Sequence, residues 1–533
     1  MGIKKSELKQ QYWEYLIPVF AVTSLLISCV IVSSKKFFWN DELLSFYLLN
    51  DRSLPHMLVA WSDKFNQAPP FYFIIGWLWD KVFGSTELSL RLFSSLSIGL
   101  AFIVIWSVLR RTYDFWATSI GTLSVFCLSE LVLYHNAELR MYGLFTVVCA
   151  LGLFQFDTLN REQKYSWRFL AINSLIHSAI VLTHLYGVFY SAAILVSFIL
   201  RDTYFNIFRR NVYLSVLAGW AILIPLIPLI INQSNNSAKW FSRFSLSQTI
   251  NLLTPFSRLS SFILSLLIIS AFLHIANSIN ERTSEIPPSS QAKPTSEISL
   301  LIFAASFISV PIGAWIITAT LKPILNDRYI IPTITLSWPI LLSYLICRVV
   351  PAPTNSRKFD NLTQRIIVLS SNFRAITLSV LTVFLLAHPI SYAKKNADYL
   401  QRPGGNDASY GYIELPIAME AGHDFLPRFY YSSKPSRYFH ILDWETAVNN
   451  IGSAYATGDY VHLQALSKNY PFIQSVQSRD FLRKYDRFLV LNEQDQKWFE
   501  VRVANNPDYQ TKQLGSEQGA NGLLELFLVE RRK

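Results

Sequence analysis

The stretch YWEYLIPVFAVTSLLISCVIVSSKKFFWNDELLSFYLL, residues 12–49, decides the class of fold. Its first part, 12–33, is one apolar run, and a helix needs about 20 such residues to cross a bilayer. A short basic head (Lys4, Lys5, Lys9) precedes it and no small-residue cleavage site follows, so it reads as a retained anchor. Directly after the run come two lysines, three aromatic residues and two adjacent carboxylates, Asp41 and Glu42. Charges at a membrane rim must be paired, hydrated or used.

Outward from this segment the same kind of run recurs. Eleven spans are expected, approximately 12–33, 92–109, 116–133, 141–157, 167–183, 185–200, 211–231, 259–277, 299–319, 329–347 and 375–391. Composition agrees. Of 533 residues 51% are hydrophobic and only 16% charged, against about 25% charged in an average soluble domain. The 19 Gly and 4 Cys exclude collagen and disulfide scaffolds, and 38 Phe with 26 Tyr exclude a disordered chain. Cys29, Cys127, Cys149 and Cys347 all lie in apolar runs and read as small buried hydrophobes. The net charge of +11 would suggest nucleic acid in a soluble protein. In a membrane protein it reflects Lys and Arg gathered in cytoplasmic loops, so no nucleic-acid partner is expected.

Those loops set an orientation. With the N-terminus inside, Arg110, Arg111, Arg161, Lys164, Arg168, Arg201, Arg209, Arg210, Arg348, Arg357, Lys358 and Arg365 fall on inner loops. The odd number of spans then puts the tail outside. The expected organisation is a transmembrane region over 1–392 and an extracytoplasmic α/β domain over 393–533. Within the first, residues 34–91 form an outer loop whose stretch PPFYFIIGWLWDKVFG (69–84) is aromatic and short, suited to an interfacial helix. A second outer segment, 232–258, contains Lys239, Trp240 and Phe241; residues 278–298 read as a polar linker. In the tail, YIELPIA (412–418), RFLVLN (487–492) and LELFLVERR (524–532) read as strands, with WETAVNNI and SRDFLRKY as helices between them.

Four polar constellations fall on the outer side. A carboxylate of the Asp41-Glu42 pair suits a general base toward a hydroxyl, while Asn40 or Asp41 before ELLSFYLL suits a helix N-cap, the reading this pair alone favours. Glu138, Arg140 and Tyr142 sit in a very short turn, where Arg140 suits an oxyanion clamp or a structural pair with Glu138. His184 lies with Tyr186 and Gly187 at the next outer turn; a histidine there is more often structural, and His135 and His177 have weaker claims still. Lys322 and Arg328, with Tyr329, stand before the tenth span, as snorkelling side chains or as ligands of an anionic head group. Gathered around one cavity, these groups would suit a sugar joined to a phosphate.

With these motifs the chain resembles a GT-C superfamily glycosyltransferase, of the bacterial branch related to protein O-mannosyltransferases and lipid A aminoarabinose transferases. The resemblance is carried by Trp39-Asn40-Asp41-Glu42, Pro69-Pro70-Phe71-Tyr72, Phe83-Gly84 leading to Arg91, Glu138-x-Arg140-x-Tyr142, His184 with Tyr186-Gly187, and Lys322-Pro323 with Arg328-Tyr329. It covers roughly residues 10–350. It implies an α-helical polytopic membrane fold of about 11 transmembrane helices with a C-terminal soluble α/β domain. It also implies a polyprenyl-phosphate-linked sugar donor of hexosyl or pentosyl type, a lipid, glycan or protein hydroxyl as acceptor, and a place in the cytoplasmic (inner) membrane serving the cell envelope. By position, Asp41 would be the general base and Glu42 would orient a substrate. Arg140, Lys322 and Arg328 would bind donor phosphate, assisted by Tyr329, with Glu138, Tyr142 and His184 around the sugar. No cofactor is implied, and a metal is not required where cationic side chains stabilise the leaving group. Where the aminoarabinose transferases carry a lysine before the proline of the interfacial helix, this chain has Gln67-Ala68. The alternative to a transferase is a transporter or flippase of an anionic lipid-linked substrate, but such proteins carry ionisable residues near mid-bilayer, and these spans have almost none.

Overall fold

The computed structural model describes residues 14–65, 68–162, 166–234, 245–253, 261–262, 265, 294–321, 324–349, 361–397, 402–404, 411–444, 454–493, 498–519 and 522–532. They belong to two compact units. One comprises Met1–Ser34, Arg91–Pro225 and Ser242–Ala397; the other comprises Lys35–Leu90, Leu226–Phe241 and Asp398–Lys533. The segment Lys35–Leu90 therefore groups with the tail.

Seven described helices are long and apolar enough to cross a membrane: Leu16–Ser33, Glu87–Arg110, Tyr142–Arg161, Arg210–Leu229, Thr295–Thr320, Asp327–Arg348 and Ile376–Ala397. An eighth span is counted if Phe115–Leu128 and Glu130–Asn136, bent by 68°, are taken together. Ser129 makes that bend. Its extended backbone ends the first helix, and its Oγ accepts from the Val132 N–H to cap the second. The stretches expected to span at 167–183 and 185–200 form the helices Trp167–Thr183, which is shorter than a span, and Gly187–Tyr204, and neither is among the seven. The expected span at 259–277 lies almost wholly outside the described residues, as do Lys239-Trp240-Phe241 and the linker up to residue 293, whereas the linker's last five residues begin the helix Pro294–Thr320. The stretch after Pro69 and Pro70 forms the 13-residue helix Phe71–Phe83, too short to span.

Small residues set the spacing of the membrane helices. Phe115–Leu128 packs on Trp338–Val349, and every residue from Ala117 to Leu128 is buried. A Cβ on Gly121 would meet the Ser343 backbone nitrogen at 2.8 Å, and one on Gly143 would meet the Ser94 carbonyl oxygen at 2.6 Å. Backbone on the far side cannot step away, so these positions hold the helices at glycine distance.

Charge is sorted to the helix ends. The helix Tyr142–Arg161 has 20 residues, about 30 Å of rise. At its C-terminal end Asp157 accepts from Arg161 at 2.8 Å and from Arg111 at 3.0 Å. Asp202, at the end of Gly187–Tyr204, is held by Arg209 at 2.6 and 2.7 Å and by Arg201 at 3.0 Å. Arg110 pairs with Glu14, and Arg348 with Glu297. Most of the described basic residues assigned to inner loops thus sit in ion pairs.

In the other unit a six-stranded sheet has the order β3-β2-β1-β4-β6-β5. The strands are β1 (Ile417–Met419), β2 (Tyr438–Leu442), β3 (Ser475–Gln477), β4 (Arg487–Glu493), β5 (Tyr509–Gln518) and β6 (Leu523–Arg531). β1, β2, β3 and β4 run parallel, and β6 runs antiparallel to both β4 and β5. One face is covered by the core of Ala418, Phe439, Ile441, Phe481, Phe488, Val490 and Phe499. Ser478–Lys484 is helical as expected, whereas most of WETAVNNI lies outside the described residues.

Gly143→Val should cost about 1–3 kcal/mol by overpacking and lower the yield of monodisperse protein. Gly313→Ala, where nothing lies within 4 Å, should be neutral or stabilising by up to about 1 kcal/mol. Thermal melting of the two variants in detergent checks the contrast.

Candidate active site

The helices Trp167–Thr183 and Gly187–Tyr204 are joined by a three-residue turn that carries His184. The His184 ring stacks on Phe145 at 5.2 Å and lies 4.7 Å from the Tyr329 ring and 6.0 Å from that of Tyr142. Burial lowers its pKa to about 3, with the positive charges of Arg140 and Arg328 acting in the same direction. The imidazole is therefore neutral near pH 7. Its Nδ1 accepts from the Tyr186 backbone N–H at 3.0 Å, so the ring proton resides on Nε2, which becomes a donor.

Both guanidiniums lie within electrostatic reach of this ring. Arg140 follows a tight turn in which its N–H donates to the Glu138 carbonyl at 2.9 Å. Its own carbonyl accepts from Ser94 Oγ at 3.3 Å, which ties the turn to the helix Glu87–Arg110. Arg328 lies in a short turn capped by Asn326, whose Oδ1 accepts from the Arg328 N–H at 3.2 Å and from its Nε at 3.3 Å. Tyr190 OH donates to the Tyr329 carbonyl at 3.1 Å, and Tyr186 OH to the Ile324 carbonyl at 2.7 Å. The bundle thus brings Arg140, Tyr142, His184, Arg328 and Tyr329 together from three separate stretches of chain. Glu138 is buried and bonded to His135 Nδ1, and the His135 ring is 4.4 Å from Tyr142. His135 has a larger share in the site than its sequence context suggested. Lys322 lies outside the described residues.

Asp41 and Glu42 belong to the other unit, at the start of the helix Asn40–Leu49. The two carboxylates have different surroundings. Glu42 is fully buried, and its Oε2 accepts from the Trp39 N–H at 3.3 Å. The capping carboxylate is therefore Glu42, not Asn40 or Asp41, because the helix begins one residue earlier than the cap reading requires. Asp41 is half-buried in the first turn, where its carbonyl accepts from Ser45 Oγ.

A cavity of about 750 Å³ opens in the same unit. Phe46, Tyr47, Tyr430, Tyr470 and Phe472 supply its apolar walls, and Asn50, Asp51, Arg52, His56, Asn469 and Gln474 its polar groups. Asp51 is its hub. The Asp51 carboxylate lies 2.5 Å from His56 Nδ1 and 2.6 Å from the Tyr470 hydroxyl, and accepts from the Ser53 N–H at 3.1 Å. The sequence reading missed these residues. Asp51 and His56 are visible as neighbours, but nothing local points to Tyr470.

No family model and no curated protein matches the sequence. Among solved structures, the chain is similar to the crystal structure of ArnT from Cupriavidus metallidurans bound to undecaprenyl phosphate. The TM-score is 0.57 at 13% identity, over 96% of this chain and 97% of that one. The chain has a GT-C fold. It is also similar to the archaeal oligosaccharyltransferase AglB from Archaeoglobus fulgidus, in complex with an inhibitory peptide and a dolichol-phosphate. There the TM-score is 0.46 at 12% identity, over 91% of this chain and 70% of that one.

Removing the Asp51 carboxylate takes the acceptor from several donors at once, whereas Tyr470→Phe removes a single hydroxyl, shared between Asp51 at 2.6 Å and the Tyr47 carbonyl at 2.9 Å, at a cost of about 1–2 kcal/mol. Asp51→Ala should therefore destabilise the GT-C chain at least twice as much as Tyr470→Phe. Equal melting shifts would show that Asp51 is not the hub of this cavity.

Proposed function

We propose that this protein is a membrane glycosyltransferase that moves a sugar from a polyprenyl-phosphate donor to a hydroxyl acceptor on the extracytoplasmic face of a bacterial cytoplasmic membrane. The observation that carries the reading is the cluster of Arg140, Arg328, His184 and Tyr329 at one rim of a bundle with this fold. Two guanidiniums and a neutral imidazole donor suit a phosphate oxyanion, and the aromatic rings suit the sugar and the first isoprene units. Asp41 acts as the general base. Its carboxylate takes the acceptor proton, the acceptor oxygen attacks the anomeric carbon, and the bond from that carbon to the phosphate oxygen breaks. The electron pair leaves with polyprenyl phosphate, whose growing charge Arg140 and Arg328 stabilise. Inversion at the sugar carbon follows from a single displacement. Glu42 is a positioning residue that fixes the helix start beneath Asp41. The cavity around Asp51 has the aromatic walls and the amide, carboxylate and imidazole groups that suit a hydroxyl-rich acceptor.

Purified full-length protein incubated with a panel of polyprenyl-phosphate sugars and candidate acceptors, followed by mass analysis, should yield one glycosylated product and free polyprenyl phosphate. Asp41→Asn should lower that rate by about 10²–10⁴ while leaving membrane insertion intact. Wild-type turnover in this variant rejects Asp41 as the base. Arg140→Ala and Arg328→Ala should each lower turnover by about 10²–10³ with unchanged melting.

A pH profile separates the role of His184. With its pKa near 3 the ring stays neutral above about pH 4. Protonation, which would add a positive charge, begins only as pH falls toward 3. His184→Gln should therefore weaken donor binding by a constant factor between pH 5 and 8. A wild-type inflection near pH 6.5 that vanishes in the variant would contradict this.

A further inference from the structure

The parallel part of the sheet reverses direction once. From β1 the chain moves to β2 and β3 on one side, then returns to β4 on the other, so a topological switch point lies between β1 and β4. Ligand sites in open α/β sheets form in the crevice at the carboxyl ends of strands at such points. Here β1 ends at Met419 and leads through Glu420 into the helix Gly422–Tyr431, whose first turn carries His423 and Asp424. Across the switch point, β4 ends at Glu493.

These three side chains converge. His423 Nε2 is 3.0 Å from Glu493 Oε1 and 3.5 Å from Asp424 Oδ2, and one ligand atom from each residue lies within 4.8 Å of the other two. A tetrahedral ion with bonds of about 2.1 Å has ligand-to-ligand edges of about 3.4 Å. The set therefore needs only small side-chain adjustments to close on an ion. Asp424 is 5% exposed and Glu493 7%, so both carboxylates are largely out of water. His423 is more open, with 17% of its side chain exposed, which leaves an entry path.

The surroundings favour a cation. Glu420 lies at the same strand end, wholly buried, and burial raises its pKa, with the negative charges of Asp443 and Glu500 adding to the rise. Three further carboxylates, Glu420, Asp443 and Glu500, thus lie close enough together to act on one another. The nearby arginines are engaged elsewhere, Arg502 with Asp443 and Arg428 with Glu517. A frame is also present: Asn492 accepts from the Glu420 N–H at 2.9 Å and donates to its carboxylate at 3.1 Å, which locks the ends of β1 and β4 together.

We propose that His423, Asp424 and Glu493 form a site for a divalent transition-metal ion of the zinc class at the switch point of this sheet. One imidazole and two carboxylates suit a borderline ion, whereas Ca²⁺ takes six to eight oxygens and Mg²⁺ prefers near-octahedral oxygen coordination. Water completes the coordination. The ion replaces the His423–Glu493 hydrogen bond and clamps the helix Gly422–Tyr431 to β4, and its role is structural. The site stands whether or not the chain transfers sugars.

Full-length protein with any affinity tag removed, stripped with chelator and dialysed, is titrated with ZnCl₂ by calorimetry and melted with and without the ion. The expected result is one Zn²⁺ per chain at micromolar affinity or tighter and a rise in melting temperature, with no response to MgCl₂ or CaCl₂. Glu493→Gln, which preserves a hydrogen bond to His423, should bind at least 10-fold more weakly while melting like the stripped wild type. Should that variant misfold, Co²⁺ titration of the wild type decides: visible bands of four-coordinate cobalt support the site, and an octahedral aquo spectrum overturns it. Failure of the wild type to bind Zn²⁺, or undiminished binding by folded Glu493→Gln, also overturns it.

Discussion

The constraint on which the membrane unit depends is that charge cannot rest in hydrocarbon. An ionisable side chain at mid-bilayer costs about 3 kcal/mol or more, so the helices carry such groups to their ends. The two ends meet this demand differently. At one, Asp157 and Asp202 are each gripped by two arginines, so each of these guanidiniums has a carboxylate partner. At the other, Arg140 and Arg328 gather around a neutral histidine and tyrosine rings. The first arrangement anchors helices to one another. The second concentrates positive charge in a partly buried, aromatic setting, where attraction to an anion is stronger than in water.

Close packing makes the second arrangement possible. The turn bearing Arg140 is tied to Ser94, next to the point where Gly143 lets the two helices touch. The turn bearing His184 is followed at once by Gly187, where a Cβ would collide with the Ile180 carbonyl. Short turns with glycine beside them leave little freedom to the side chains they carry. Such rigidity is what a preorganised anion site needs, because no reorganisation has to accompany substrate arrival.

Much of this was legible in the sequence, since long apolar runs and the residues that interrupt them are local signals. Arg140, His184 and Arg328 could be picked out because each stands at a span end with few other charges near it. Other features depended on distance. Asp51 meets Tyr470 across 419 positions, and Asp63 meets Lys468 across 405, so nothing local tells that the loop 34–91 groups with the tail. The cap was misassigned for a smaller reason. Asn40, Asp41 and Glu42 all suit a helix start, and only the observed first residue, Asn40, makes Glu42 the third and the capping one. The strand expected over 412–418 shrinks to Ile417–Met419, and Pro416, which has no N–H to give a ladder, contributes only its carbonyl, to the Leu489 N–H.

The charge balance of the proposed reaction bears on why two guanidiniums are useful. The donor phosphate is a diester with one negative charge. Once the sugar leaves, it is a monoester whose second ionisation lies near pH 6, so at neutral pH it approaches two. A rim holding both Arg140 and Arg328 is matched to the later state better than to the earlier one. Binding that strengthens as charge develops lowers the barrier, whereas equal binding of both states would only hold the donor. The neutral His184 fits the same logic. A third full charge would tighten the ground state as well, while an Nε2–H donor adds a directional contact to whichever oxygen becomes more negative.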